Sequence, residues 1–143
     1  MKNKVKLYFS SVSENEAFAR NTIASFMLPL NPTLSQLSDV KTAVSEAVTN
    51  AIVHGYPDSV GEIEISAEID GQDIHIEISD DGVGIDDLQK ALEPFYSTKV
   101  ENERSGMGFT IMRTFMDEVS VNSTKNSGTK VKMSKKINNE NAQ

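Results

Sequence analysis

The chain has no cysteine, which excludes disulfides, thiolate metal sites and a cysteine nucleophile. No stretch approaches the ~18 consecutive apolar residues that a membrane-spanning helix needs. Met1 to Val12 is basic but has no continuous apolar core. A secretory leader is therefore not expected, and a cytoplasmic protein is the default. Basic charge is also in short supply: 14 Lys and Arg stand against 21 Asp and Glu, a net charge of −7. An acidic chain is a poor generic nucleic-acid binder, so neither a nucleic acid nor a membrane is expected as a partner. The Walker pattern Gly-x-x-x-x-Gly-Lys-Ser/Thr is missing. So is the catalytic-loop signature of two-lobed protein kinases.

What is present suits one soluble globular domain. The 143 residues are 38% hydrophobic and 24% charged, enough for a single core. The charge is uneven. Residues 57–93 hold twelve acids and one base, Lys90, whereas Lys125 to Lys136 holds five lysines and no acid. Glu62, Glu64, Glu68 and Glu77 alternate with apolar residues and are assigned to the solvent face of a sheet.

Lys4 to Ser10 is expected to form an edge strand. Ser13-Glu14-Asn15-Glu16 has the form of a capping box opening a helix to about Leu28. Pro29 and Asn31-Pro32 end it. A second helix is expected from Thr33 or Ser35 to His54. Its core face comprises Val40, Ala43, Val44, Ala47, Val48, Ala51 and Ile52, with Ser45, Glu46, Thr49, Asn50 and Val53 on the other side. Gly55 stops it. Ile63 to Ile69 and Ile74 to Ile78 alternate around Asp70-Gly71, a hairpin pattern. A short helix over Asp86–Leu92, a long loop from Glu93 to Met107 and a helix over Gly108–Met116 follow. Strands near Val119–Ser123 and Thr129–Ser134 close the pattern. A loop of that length in a compact domain suggests a functional lid. Residues 1–136 are assigned to one domain and 137–143 to a disordered polar tail. The order implies an α+β, two-layer fold: a mostly antiparallel, mixed sheet with helices on one face.

Three segments carry chemistry. Glu46, Asn50 and His54 recur at four-residue spacing, so a carboxylate, an amide and an imidazole share one helical face. A carboxylate can accept a proton from an attacking hydroxyl, and an amide oxygen is a hard ligand suited to Mg2+. A solvated polar face is the plainer alternative. Asp80-Asp81-Gly82-Val83-Gly84-Ile85 follows a strand. Its glycines allow close backbone approach, and a carboxylate there can accept from an exocyclic amine such as that of adenine. The plainer alternative is a tight strand-to-helix connection capped by Asp86. Ser105-Gly106-Met107-Gly108 opens a helix, whose amides suit phosphate; a flexible junction is the alternative. An acidic middle would repel a nucleotide triphosphate unless a divalent cation intervenes.

Taken together and in order, these segments resemble the ATPase and kinase superfamily of gyrase, the Hsp90 chaperone, histidine kinases and MutL. Glu46-Ala-Val-Thr-Asn50-Ala-Ile-Val-His54 looks like its N box, and Asp80-Asp81-Gly82-Val83-Gly84 like its G1 box. Glu93-Pro94-Phe95-Tyr96-Ser97-Thr98-Lys99 looks like its F-box segment, and Gly106-Met107-Gly108-Phe109 like its G2 box. Gly128-Thr129 matches the threonine that accompanies the aspartate. The resemblance covers about residues 5–135. The bare ATP-binding domain, opened by a helix ahead of the N box, is similar to bacterial anti-sigma factors that are also serine kinases, specifically the sporulation anti-sigma F group.

That resemblance implies a Bergerat-type ATP-binding fold, ATP or ADP with Mg2+, and a homodimer. The implied partners are a sigma factor and an anti-anti-sigma protein phosphorylated on serine. Carried over by residue, Glu46 would be the base, and Asn50 would hold Mg2+ against the triphosphate. Asp80, assisted by Thr129, would read the adenine amine, and Gly82 and Gly84 would admit base and ribose. Thr98, Ser105, Gly106 and Gly108 would lie at the lid over the phosphates. Arg20, an isolated base on the outer face of the first helix, is the candidate partner contact. The competing readings are an ATP-switched binding module without transfer, the catalytic half of a split histidine kinase, and a hydrolytic ATPase.

Overall fold

The computed structural model describes residues 1–85 and 108–137. The elements run β1 (Lys2–Ser10), α1 (Glu14–Phe26), α2 (Leu34–Asn50), β2 (Glu62–Asp70), β3 (Asp73–Asp80), α3 (Gly108–Phe115), β4 (Glu118–Thr124) and β5 (Gly128–Lys136). The strands form one sheet in the order β1-β2-β3-β5-β4. Every neighbouring pair is antiparallel, so the two-layer α+β expectation holds without a parallel component. The expected helix over 86–92 and the lid over 93–107 lie outside the described residues.

Alternation in the strands sets the layers, because side chains on a strand point to opposite faces at period two. Ile63, Ile65, Ala67 and Ile69 of β2 and Ile74, Ile76 and Ile78 of β3 are all buried. They face Val40, Ala43, Val44, Ala47 and Val48 of α2 in one core. Glu62 and Glu68 are exposed and Glu64 and Glu77 half-buried on the other face, as their alternation predicts. The hairpin register pairs Asp70 with Asp73, leaving Gly71 and Gln72 as the turn. Gly71 has φ +65°, a conformation glycine takes without steric cost.

The register also aligns inward-facing residues in rows across the sheet. One row runs Leu7, Ile65, Ile78, Val131, Val121 and is wholly apolar. The next begins Phe9, Ile63 and then becomes polar: Asp80, Thr129, Ser123. This polar row end is where the site forms.

The helix boundaries have local causes. α1 ends at Phe26, and a 3-10 turn over Leu28–Leu30 contains Pro29. Asn31, at φ 54°, then turns the chain. The expected capping box at Ser13 does not form, because Ser13 is itself helical in φ and ψ and caps no backbone amide. Its hydroxyl donates to Glu14 instead, while Glu16 pairs with Arg20. The box forms on α2: Gln36 N donates to Thr33 Oγ1 at 3.0 Å, and Thr33 N to Gln36 Oε1 at 2.9 Å. Helical structure continues past α2 as a π-helical turn, Ala51–Gly55. Ile137, assigned from the sequence to the tail, packs with the sheet. Ile137 is fully buried and its amide donates to Gln72 O at 2.8 Å, because the β5 alternation carries on through it. Residues 138–143 lie outside the described residues.

Candidate nucleotide site and the adjoining groove

The polar row end is built around Asp80. Its side chain is only 8% exposed. Oδ1 accepts from Gly82 N at 2.9 Å, and the backbone amide of Thr129 also donates to the carboxylate. Burial pushes the Asp80 carboxyl above the ordinary carboxylate range, and the two amides act in the opposite direction. A carboxylate here, held by backbone, keeps acceptor capacity for a donor arriving from outside.

Gly82 and Gly84 are required by space. A Cβ on Gly82 would collide with Gly55 O, and one on Gly84 with Thr124 O. Gly84 also has φ +73°. The loop is tied on both sides: Val83 N donates to Gly55 O at 2.9 Å, and Asn126 N to Val83 O. The turn that ends the α2 segment is thereby fastened to the strand exit. Gly55 itself packs on Asp80, where a Cβ would come within 2.8 Å of Oδ1.

Further along the same segment, Asn50 faces α3. Its Nδ2 is buried and has no hydrogen-bond partner among the described residues. A Cβ on Gly108 would stand 2.8 Å from Asn50 Nδ2 and 3.2 Å from Oδ1. Buried amides are normally satisfied, so an orphan calls for an explanation such as a ligand. The arrangement fits a hydrated cation or a phosphate better than an apolar guest, since it offers a hard oxygen and an unspent donor. Among the described residues, no cluster of three or more His, Asp or Glu side chains could hold a metal unaided.

Glu46 lies one turn before Asn50. The sequence places it opposite the core face, yet it is only 5% exposed. α2 is flanked by both α1 and α3, so its second face is covered too. Glu46 lines a groove of about 440 Å³ between α1 and α2, together with Arg20, Leu34, Leu37, Ser38 and Lys41. Arg20 is not isolated, which corrects the sequence expectation. Its Nε pairs with Glu16 Oε2 at 2.9 Å, one helical turn away. His54 continues the stripe on the π-helical turn and is half-buried. Thr98, Ser105 and Gly106 lie outside the described residues.

Two residues escaped the sequence reading. Tyr56 Oη donates to Glu62 O and accepts from Asp81 N, both at 2.8 Å, bracing the strand exit. Ser123 Oγ accepts from Ile85 N at 2.8 Å and sits 2.8 Å from Thr129 Oγ1. A polar residue at the inward position after Val119 and Val121 was a usable signal for Ser123.

This geometry agrees with the comparisons. The family described as "Histidine kinase-like ATPase domain" matches residues 10–135. The chain is 53% identical to the anti-sigma F factor of Thermoanaerobacter sp. (strain X514) over 135 residues, covering 94% of each chain. It is 52% identical to that of Clostridium acetobutylicum over 137 residues, covering 96% of each. The chain belongs to the anti-sigma F factor family. A further member, from Clostridium perfringens (strain SM101 / Type A), is 53% identical over 139 residues, covering 96% of this chain and 99% of that one. Among solved structures, the RsbU and RsbW domains of Rv1364c from Mycobacterium tuberculosis share the fold. The TM-score is 0.68 at 16% identity, covering 94% of this chain and 32% of that one. The residues matched to the Histidine kinase-like ATPase domain include Asn50, Asp80 and Gly108.

Proposed function

We propose that this chain is an anti-sigma factor that binds a sporulation sigma factor and, with Mg-ATP, phosphorylates a serine on an anti-anti-sigma protein. The observation that carries the reading is the placement of Glu46. It shares the α1–α2 groove with Arg20 on one side and stands one turn from the orphaned Asn50 amide on the other. A protein serine presented in the groove and a nucleotide held by Asp80 would therefore meet at α2.

The roles follow. Asp80 accepts from the adenine amine, with Thr129 beside it. Gly82 and Gly84 leave room for base and ribose. Gly108 lies beside the phosphates, and the same role is proposed for Thr98, Ser105 and Gly106, which are outside the described residues. Asn50 holds Mg2+, which supplies charge neutralisation on the triphosphate. Glu46 takes the proton of the serine hydroxyl as that oxygen attacks the terminal phosphorus and the bond to the diphosphate breaks. Phosphoryl transfer asks little more of a protein than positioning and charge. Arg20 contacts the partner proteins. The working form is a cytoplasmic homodimer.

The test is transfer from terminally labelled Mg-ATP to the anti-anti-sigma protein. Acid-stable label, lost when the acceptor serine is replaced, is expected. Glu46→Ala should cut transfer by about 100-fold or more while Mg-ATP affinity changes little. Acid-labile label would indicate histidine transfer, and absence of label despite tight binding would leave a nucleotide-gated binding module.

A further inference from the structure

Three successive backbone amides follow the end of β3, and each has its own partner outside the neighbouring strands. Asp81 N donates to Tyr56 Oη at 2.8 Å, Gly82 N to Asp80 Oδ1 at 2.9 Å and Val83 N to Gly55 O at 2.9 Å. The first of these stands where the sheet should continue. The two-residue turn of the β2–β3 hairpin closes on Asp70 and Asp73. Such a turn closes on a hydrogen-bonded pair, and bonded and unbonded pairs then alternate along the ladder. Counted from there, Ile63 and Asp80 are an unbonded pair, and the next rung would join Asp81 N to Glu62 O. Tyr56 Oη occupies that rung instead. It accepts from Asp81 N and donates to Glu62 O, both at 2.8 Å. Its one hydrogen is thereby spent, and the two backbones are held apart by one oxygen atom.

The ring is seated as firmly as the hydroxyl. It lies against Gly61, where a Cβ would collide with Cε1 and Cζ of Tyr56. Gly61 is held in turn by the buried Ser11. Ser11 Oγ accepts from Gly61 N and Ser11 N donates to Gly61 O, both at 2.9 Å. A strand exit fixed by such supports before a ligand arrives lowers the cost of binding.

We propose that Tyr56 is a positioning residue for the nucleotide: its hydroxyl, wedged into the last β2–β3 rung, keeps the strand end splayed and sets the Asp81–Gly82 backbone beside the pocket. The inference rests on the nucleotide reading of the site and adds a residue that acts through that backbone. NMR titration of the full chain and its variants with Mg-ATP, adenosine and Mg-tripolyphosphate tests it, because the last two probe opposite ends of the site. Tyr56→Phe keeps the ring and removes the wedge. It should weaken Mg-ATP and adenosine alike by about fivefold, the scale of one net hydrogen bond, and leave Mg-tripolyphosphate unchanged. Gly61→Ala keeps the hydroxyl but puts a methyl group where the ring lies, and should give the same selective loss. A loss shared by Mg-tripolyphosphate would mean a general structural role, and no loss of adenosine would mean an idle wedge; either overturns the proposal. If Asp80→Asn also leaves Mg-ATP and adenosine binding intact, the nucleotide assignment falls and this inference with it. If adenosine needs Asp80 but ignores Tyr56→Phe, the inference alone falls.

Discussion

Asp80 carries the sharpest conflict between stability and function at the level of one residue. Its carboxylate is buried among Gly55, Gly82 and Thr129, and burial raises its pKa above the ordinary 3.8. The sign follows from linkage. A group that holds its proton more tightly when folded stabilises the fold at low pH, and that contribution is lost as pH rises through the folded pKa. At neutral pH the protein therefore maintains an ionised, partly desolvated carboxylate against its own stability. Such strain is expected where a ligand uses the charge. Urea unfolding of the wild type and Asp80→Asn from pH 7 down to 4 checks this. Wild-type stability should improve relative to the variant as pH falls, since Asn cannot take up the proton. A constant gap would mean that Asp80 titrates normally.

At the level of elements, α2 matters most, because it carries Glu46 and Asn50 and runs into the turn that packs on Asp80. Its entry is fixed by the reciprocal Thr33–Gln36 box. Losing such a cap costs about 1 kcal/mol. Thr33→Ala should lower the melting temperature by about 3 °C or more, whereas Ser13→Ala, which removes no cap bond, should leave it nearly unchanged. Equal effects on a thermal scan would contradict the observed capping. The two sites also show where sequence is a poor guide. Ser13-x-x-Glu16 and Thr33-x-x-Gln36 have the same form, but only the residue with extended backbone, Thr33 at ψ 163°, can point its oxygen at the third amide. The strands were more legible. Alternation alone placed Ile63 to Ile78 inward and Asp80 at the end of that run, because period two leaves a strand one choice of face. Contacts between segments far apart in sequence, such as the Ile85 amide with the Ser123 hydroxyl, were not legible, since no local pattern states which residues meet. Tyr56 lay hidden for the same reason: its two partners are residues 62 and 81.

Across the whole molecule, α2 separates two surfaces. Asp80, Thr129 and Ser123 close one end of the sheet, while Arg20, Leu34 and Lys41 line the groove against α1. The groove has an apolar wall in Leu34 and Leu37 and two cations in a chain of net charge −7. That combination favours a partner presenting acidic and apolar groups. The Glu16 pair holds the Arg20 side chain along α1, so little of its rotamer freedom remains to be lost on binding. None of Asp80, Thr129 and Ser123 lines the groove, so the two surfaces should be separable. Arg20→Ala should weaken capture of the sigma factor and of the proposed anti-anti-sigma substrate by about tenfold or more, as arginine anchors at interfaces do, with Mg-ATP affinity within about twofold of wild type. Asp80→Asn should do the reverse to the nucleotide. Titration calorimetry with Mg-ATP and with each protein partner distinguishes them. Unchanged affinity of Arg20→Ala for both partners would remove the groove as the docking surface and leave the proposed base, Glu46, without a route for a protein serine.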